Sequence, residues 1–170
     1  MNQSIDRINE LPAAQAQYEF LKCCGSTAWA KAISDARPFA NSDDLSAKAD
    51  GIWWSLSEED WLEAFRAHPK IGEKKAEAAQ SAEAQRWSAQ EQSESERAAA
   101  ETKGALAEGN REYERRFGFI FIICATGKSA EEILAALHGR LNNDPATELR
   151  MAAEEQRKIT QLRLQKLLEN

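Results

Sequence analysis

Glycine and proline are scarce, with 8 Gly and 4 Pro in 170 residues. That leaves too few turn signals, and too few β-branched residues accompany them, for a chain built of many short strands. Cysteine is scarcer still. Cys23, Cys24 and Cys124 are odd in number and lack a CxxC spacing, so they read as buried free thiols in a reducing compartment. No charged-then-apolar leader opens the chain, and Leu168-Glu169-Asn170 is not a peroxisomal address. The longest strongly apolar run, Phe117 to Ala125, falls well short of the ~20 residues a membrane helix needs. A cytoplasmic protein that binds no membrane is therefore expected. Basic excess is missing too: the net charge is -6 and the pI is about 5.1. That balance disfavours nucleic acid and anionic lipid, although a small anionic substrate remains compatible with a locally basic site.

Several chemical signatures are absent as well. Neither histidine has a glutamate three positions before it, as a di-iron bundle would require. HExxH, the phosphate-cradling GxxxxGK, GxGxxG and the GxSxG elbow do not occur. An enzyme of this sequence is expected to work without metal or nucleotide.

What is abundant is Ala, Glu, Gln, Lys, Arg and Leu, all good helix formers. The fold expected is all-α, a single-domain bundle of about seven to nine helices over residues 1–170. Pro12 opens a helix carrying Tyr18, Leu21 and Cys24, and Gly25 stops it. A second helix runs from about Thr27 to Ala36, with Trp29 and Ile33 on one face, and Pro38 ends it. Ser42 is expected to cap a short third helix ending near Gly51. Ser57 and Asp60 form an acidic capping box for a helix with Trp61, Leu62 and Phe65 inward. Pro69 should stop that helix by His68. Residues Glu73 to Arg86 read as a polar, exposed helix. Ser88 and Glu91 form a second box opening a long helix to about Arg116, which Gly104 and Gly109 are expected to bend or fray. Phe117 to Ala125 is apolar throughout, and periodicity leaves strand and buried helix both open. Ser129 caps a helix with Ile133, Leu134, Leu137 and Leu141 inward. Asp144-Pro145 starts the last helix, to about Leu168.

Four places could carry chemistry. In His68-Pro69-Lys70-Ile71-Gly72, a histidine at a helix end is stiffened by proline, in front of a glycine that allows close approach. Histidine moves protons near neutral pH, and it can equally serve as a helix C-terminal cap. Ser88, Ala89, Gln90, Glu91 and Gln92 make a helix N-terminus. The capping box explains Ser88 and Glu91 by itself, yet free N–H groups there also suit a polar ligand. Arg140 borders an apolar stripe, as a snorkelling arginine does and as a carboxylate-binding arginine would. His138 falls off that stripe. Phe119, Ile120, Phe121, Ile122 and Ile123 read first as core, but the backbone groups of such a segment need partners, and a ligand is one candidate.

In their order and spacing these pieces resemble the 2-oxo-4-hydroxy-4-carboxy-5-ureidoimidazoline (OHCU) decarboxylase family. The His-Pro-x-Ile-Gly loop falls at His68 to Gly72, and Ser-x-x-Glu-Gln at Ser88, Glu91 and Gln92. Asn-x-x-Tyr-x-x-Arg-Phe-Gly-Phe-x-Phe-Ile falls at Asn110, Tyr113, Arg116 to Phe119, Phe121 and Ile122. Gly127 to Ser129, Ile133-Leu134, Arg140-Leu141, Asn143 and Ile159 to Leu164 complete the match, from about Leu11 to Leu168. One departure is Glu94, where many members have glycine; it bears on the packing of that helix's second turn.

The resemblance implies an all-helical, cofactor-free enzyme, often a homodimer. Its substrate would be a small anionic ureidoimidazoline, converted with loss of CO2 to (S)-allantoin in the last step from urate. His68 would be the acid–base residue and Glu91 its neighbour. Pro69, Ser88 to Gln92 and Phe119 to Ile123 would line the substrate, and Arg140 would hold an anionic or carbonyl edge of the ring. Two other functions stand beside it, the second of which explains the long polar helices but not the His68 loop. One is a decarboxylase or lyase for another ureido acid; the other is a non-enzymatic helical adaptor using its acidic face.

Overall fold

The computed structural model describes residues 3–70, 87 and 100–170. Among these residues there are eight helices and no strand, the all-α class expected from composition. The helices are α1 (Gln3–Glu10), α2 (Ala13–Cys23), α3 (Thr27–Asp35), α4 (Ser42–Ser55), α5 (Glu58–Arg66), α6 (Ala100–Phe117), α7 (Ala130–Arg140) and α8 (Pro145–Glu169). None is long and apolar enough to cross a membrane.

The residues fall into two compact units, Met1–Ala64 with Arg157–Asn170, and Phe65–Gln156. In the first, Ile5, Ile8, Phe20, Trp29, Ile33, Leu45 and Leu164 are fully buried. The indole N–H groups of Trp29 and Trp61 donate to the carbonyls of Ala49 (3.1 Å) and Trp53 (2.9 Å), so two large aromatics enter the core with their one polar atom satisfied. α1 has no sequence signal strong enough to announce it. It is held at its C-terminal end by Arg37, whose guanidinium takes the carbonyls of Ile8 (2.9 Å) and Leu11 (2.6 Å). Those are groups that a helix end leaves without partners.

Three local expectations need correction. The inward face of α2 is Ala16, Phe20 and Cys23; Tyr18 and Leu21 point outward, at 54% and 40% exposure. That face wins because Phe20 packs edge-on against both Trp29 and Phe39, with centroids 6.1 Å away in each case. α4 is capped by Asn41, whose side chain accepts from Asp44 N–H at 2.9 Å, and it runs through Gly51 to Ser55. Burial of Trp53 outweighs the roughly 1 kcal/mol that a helical glycine costs. α6 does not fray at Gly104 or Gly109; it is continuous through both. A Cβ at Gly109 would lie 2.5 Å from Leu137 Cδ2, so this glycine lets α6 and α7 approach closely.

The capping boxes stand where the sequence put them. Ser57 and Asp60 exchange side chain-to-backbone bonds at 3.2 Å each. Ser129 accepts from Glu132 N–H at 3.1 Å, and Asp144 from Thr147 N–H at 2.9 Å. Residues Glu73 to Arg86 and the box at Ser88 to Glu91 lie outside the described residues.

In the second unit, Leu106, Tyr113, Phe121, Ile123, Ala125, Ile133 and Leu137 form one buried cluster. Phe117 closes α6. After it, Gly118 takes a positive φ of 81°, and its N–H returns to the Glu114 carbonyl at 2.9 Å. This is the usual glycine exit from a helix. The chain beyond is neither helix nor paired strand as far as Ala125. Its character was undecidable from periodicity because tertiary packing alone determines it.

Candidate active site

α5 ends at Arg66, and His68 N–H still bonds the Phe65 carbonyl at 3.1 Å. The imidazole is thus launched from a helix end and fixed by the proline that follows. Its Nε2 lies 2.5 Å from Oε1 of Gln156, a residue of α8 that is fully buried. Next to it, Lys70 Nζ pairs with Glu114 of α6 at 2.7 Å, which ties the loop down on its far side.

The Phe119–Ile123 segment lies in the same unit. Phe119 meets Phe65, three residues before the histidine, with ring centroids 5.4 Å apart. Tyr113 packs against Phe117, Phe119 and Phe121 at 4.6, 5.7 and 5.2 Å. Phe121, Ile122 and Ile123 are buried, whereas Phe119 and Ile120 are partly so. The backbone of this segment is held from outside. The Ile122 carbonyl accepts from Arg140 Nη1 at 2.6 Å, and the adjoining Cys124 N–H donates to Glu155 at 3.4 Å.

Arg140 is buried, at 6% exposure. It does not snorkel. It binds a carboxylate of its own chain, placing Nε and Nη2 2.6 and 2.5 Å from Glu148 Oε1. Its guanidinium also lies over the Phe121 ring, 4.5 Å from the centroid. Glu148 is itself fully buried. It accepts from the Tyr113 hydroxyl and, at 3.0 Å, from Asn143 Nδ2. Burial, and then the bond to Glu148, push the Tyr113 phenol well above its ordinary range. A buried charge pair survives only when its other lone pairs and protons are satisfied, and here Tyr113, Asn143 and the Ile122 carbonyl do that. Arg116 joins the edge of the network by donating to the Asn143 carbonyl at 3.1 Å.

Three of the expected site elements are therefore in one unit: His68, the 119–123 segment, and Arg140 bonded to that segment. Pro69 adjoins His68. Ser88, Ala89, Gln90, Glu91 and Gln92 lie outside the described residues, as does Glu94, while Trp87 is helical and buried. His138 is exposed, as its place off the stripe suggested. Sequence reasoning missed Glu148 and Gln156. Their signal was a carboxylate and an amide on the α8 face that also carries Ala152 and Ala153, both fully buried. A polar side chain at such a position needs a polar partner. Among the described residues no group of three or more His, Cys, Asp or Glu side chains is placed to hold a metal ion.

An all-α fold with a proline-stiffened histidine and an arginine-anchored extended segment defines a helical protein with a histidine-bearing candidate site. The comparisons narrow that class. The family model described as OHCU decarboxylase matches residues 9–165. The chain is 41% identical over 150 residues to the uric acid degradation bifunctional protein TTL of Arabidopsis thaliana, covering 88% of this chain and 46% of that one. It therefore spans about half the length of that relative. It is 38% identical over 141 residues to the OHCU decarboxylase of Amia calva, covering 82% of this chain and 79% of that one. A crystal structure of OHCU decarboxylase in the presence of (S)-allantoin superimposes with a TM-score of 0.77 at 41% identity, covering 89% and 98% of the two chains. The chain belongs to the OHCU decarboxylase family.

Proposed function

We propose that this chain is a carboxy-lyase that converts 2-oxo-4-hydroxy-4-carboxy-5-ureidoimidazoline to (S)-allantoin and CO2, the last step from urate. The observation that carries the reading is His68, held at a helix end on a buried amide inside the family's own His-Pro-x-Ile-Gly loop. The chemistry suits a site of this kind. Breaking the bond between the ring and the carboxylate leaves an electron pair next to an imine, so the ring is its own electron sink. No pyridoxal or thiamine is needed for that. The protein orients the leaving carboxylate out of the ring plane and stabilises charge moving onto the ring. It then delivers one proton to one face.

In this reading His68 contacts the 4-hydroxyl or the carboxylate and governs the proton step, with Glu91 beside it. Pro69 and Ser88 to Gln92 line the substrate, and the N–H groups of Phe119 to Ile123 face the charge that develops. Arg140, expected to hold an edge of the ring, has its guanidinium engaged by Glu148 and the Ile122 carbonyl, so in this reading it acts through the chain by holding the segment that carries those N–H groups. A single domain, a homodimer and a cytoplasmic setting complete the proposal.

The test is to generate the substrate in place from urate with urate oxidase and hydroxyisourate hydrolase. Its ultraviolet decay is then followed with and without this chain. Accelerated decay supports the reading. Decay at the spontaneous rate, with the protein folded, refutes it and directs attention to other ureido acids and then to an adaptor role.

A further inference from the structure

We propose that Glu148 is a positioning residue. Through Arg140 it aims one backbone donor, the Ile123 N–H, at the ring oxygen on which charge gathers as CO2 leaves. The chemical end of this chain of contacts rests on the decarboxylase reading, and the aiming rests on geometry alone.

Two rigid planar groups stand in series between Glu148 and that N–H. The first is the Arg140 guanidinium, whose fork is flat. Glu148 Oε1 takes the edge formed by Nε and Nη2, at 2.6 and 2.5 Å, and the Phe121 ring lies against its face, 4.5 Å from the centroid. With one edge and one face fixed, the remaining nitrogen can point only one way. That nitrogen, Nη1, donates to the Ile122 carbonyl at 2.6 Å. The second planar group is the Ile122–Ile123 peptide, which is trans, the cis bond among the described residues being Arg37–Pro38. In a trans peptide the N–H points opposite to the C=O. Holding the Ile122 carbonyl toward Arg140 therefore turns the Ile123 N–H away from it. A charged donor on the carbonyl also polarises the amide and strengthens the N–H at its other end.

The N–H so aimed is conspicuous. Ile123 is buried, yet no carbonyl or side chain among the described residues accepts from its N–H, and a buried donor left without an acceptor is costly. The N–H groups at either end of the segment are taken, Gly118 by the Glu114 carbonyl and Cys124 by Glu155. Glu148 is mounted to do this work. It sits in the first turn of α8 and is fully buried, and its carboxylate is itself held by the Tyr113 hydroxyl and by Asn143 at 3.0 Å. In the reaction the bond from the ring to the carboxylate breaks, its electron pair passes through the imine to the 2-oxo oxygen, and CO2 departs. A preset donor facing that oxygen stabilises the charge as it forms.

The sequence holds one Ile–Ile pair. Protein grown on isoleucine with carbonyl carbon-13 and amide nitrogen-15 therefore has one peptide in which the two labels are bonded, Ile122–Ile123. Its carbon shift reads the Arg140 bond, and its proton shift reads the donor. Addition of (S)-allantoin to the wild type is expected to move the Ile123 N–H downfield, as a donor moves on gaining an acceptor. E148L should shift the Ile122 carbonyl, lose the response to (S)-allantoin and lower kcat by about 10²-fold, the loss a misplaced site group brings, with KM changed by less than about threefold. Replacing the Ile122–Ile123 amide by an ester deletes the N–H and leaves every side chain, and kcat should fall by about 10²–10³-fold, the range for one lost donor of this kind. An Ile123 N–H that stays in place while (S)-allantoin moves other amides overturns the proposal, whether or not the variants fold. Where (S)-allantoin moves no amide, the ester protein decides, and an undiminished kcat overturns the proposal. So does a folded E148L that turns over like the wild type, or one that loses turnover with the signals of this peptide unchanged. A wild type that leaves the substrate's spontaneous decay unaltered defeats the decarboxylase reading instead, and the Ile122 carbon shift in E148L still judges the aiming of the peptide.

Discussion

Replacing Arg140 with methionine should be among the most damaging single changes in the second unit. The substitution keeps much of the volume over the Phe121 ring and removes the guanidinium. Glu148, fully buried, then keeps only Tyr113 and Asn143 as donors, and the Ile122 carbonyl loses the bond at 2.6 Å. Removing one partner of a buried pair costs about 3–5 kcal/mol, because the remaining charge is stranded. In a chain of this size each kcal/mol moves the melting temperature by roughly 2–4 °C, so R140M should melt about 6–20 °C below the wild type. Removing both charges behaves differently. R140M/E148L strands no charge, so it should recover at least about 1–2 kcal/mol of the loss, within the usual range of coupling energies between contacting residues. Urea unfolding of the wild type, both single variants and the double variant closes the cycle, provided far-ultraviolet circular dichroism and tryptophan fluorescence give coincident transitions. A loss below about 1 kcal/mol for R140M, or strictly additive single effects, would refute the account of Arg140 and Glu148 as one interdependent pair.

Four further outcomes follow from the same structure. His68→Gln should lower turnover by ~10²–10⁴-fold, the usual loss for an acid–base residue, and steady-state rates check it. Gly104→Ala should stabilise by about 0.5–1 kcal/mol, since nothing lies within 4 Å of its Cβ, whereas Gly109→Ala should destabilise because its Cβ meets fully buried Leu137; paired melting curves separate the two. A thiol reagent at pH 8 should modify Cys124 before Cys23 and Cys24, because both of these are fully buried and burial holds the Cys24 thiol up at about 11; mass spectrometry with and without urea reads the order. The Thr147 N–H and hydroxyl hold the Asp144 carboxyl below its ordinary 3.8. Its cap is therefore fully effective above that pH and lost as pH falls through the lowered value, so the stability gap between wild type and Asp144→Ala should close in acid.

Legibility in the sequence followed the range of the interactions. Helix starts written within four residues were readable: Ser57 with Asp60, Ser129 with Glu132, and Asp144 with Thr147 all bond as the capping rules require. Faces were less readable, because α2 offers Tyr18 and Leu21 as well as Phe20, and only the rings of Trp29 and Phe39 decide between them. α4 passes Gly51 because Trp53 is worth more buried than the glycine costs. The site divides in the same way. The His68 loop, the apolar 119–123 run and Arg140 each had a local signature. Glu148 and Gln156 showed only as polar residues on an otherwise apolar face, since the partner of each, Arg140 on α7 and His68 in the loop after α5, lies outside their own helix. Arg140 shows the consequence. Its place beside the stripe was legible, but the carboxylate it serves lies eight residues on, across a helix break.

The most direct test of the account is the handedness of the product formed by the wild type and by H68Q. The substrate would be generated in place and the allantoin followed by circular dichroism. The wild type is expected to give a growing (S)-allantoin signal, and a folded H68Q to give racemic product forming at the spontaneous rate. An equal (S)-allantoin signal from both proteins would contradict the assignment of the proton step to His68, and racemic product from the wild type would contradict the function itself.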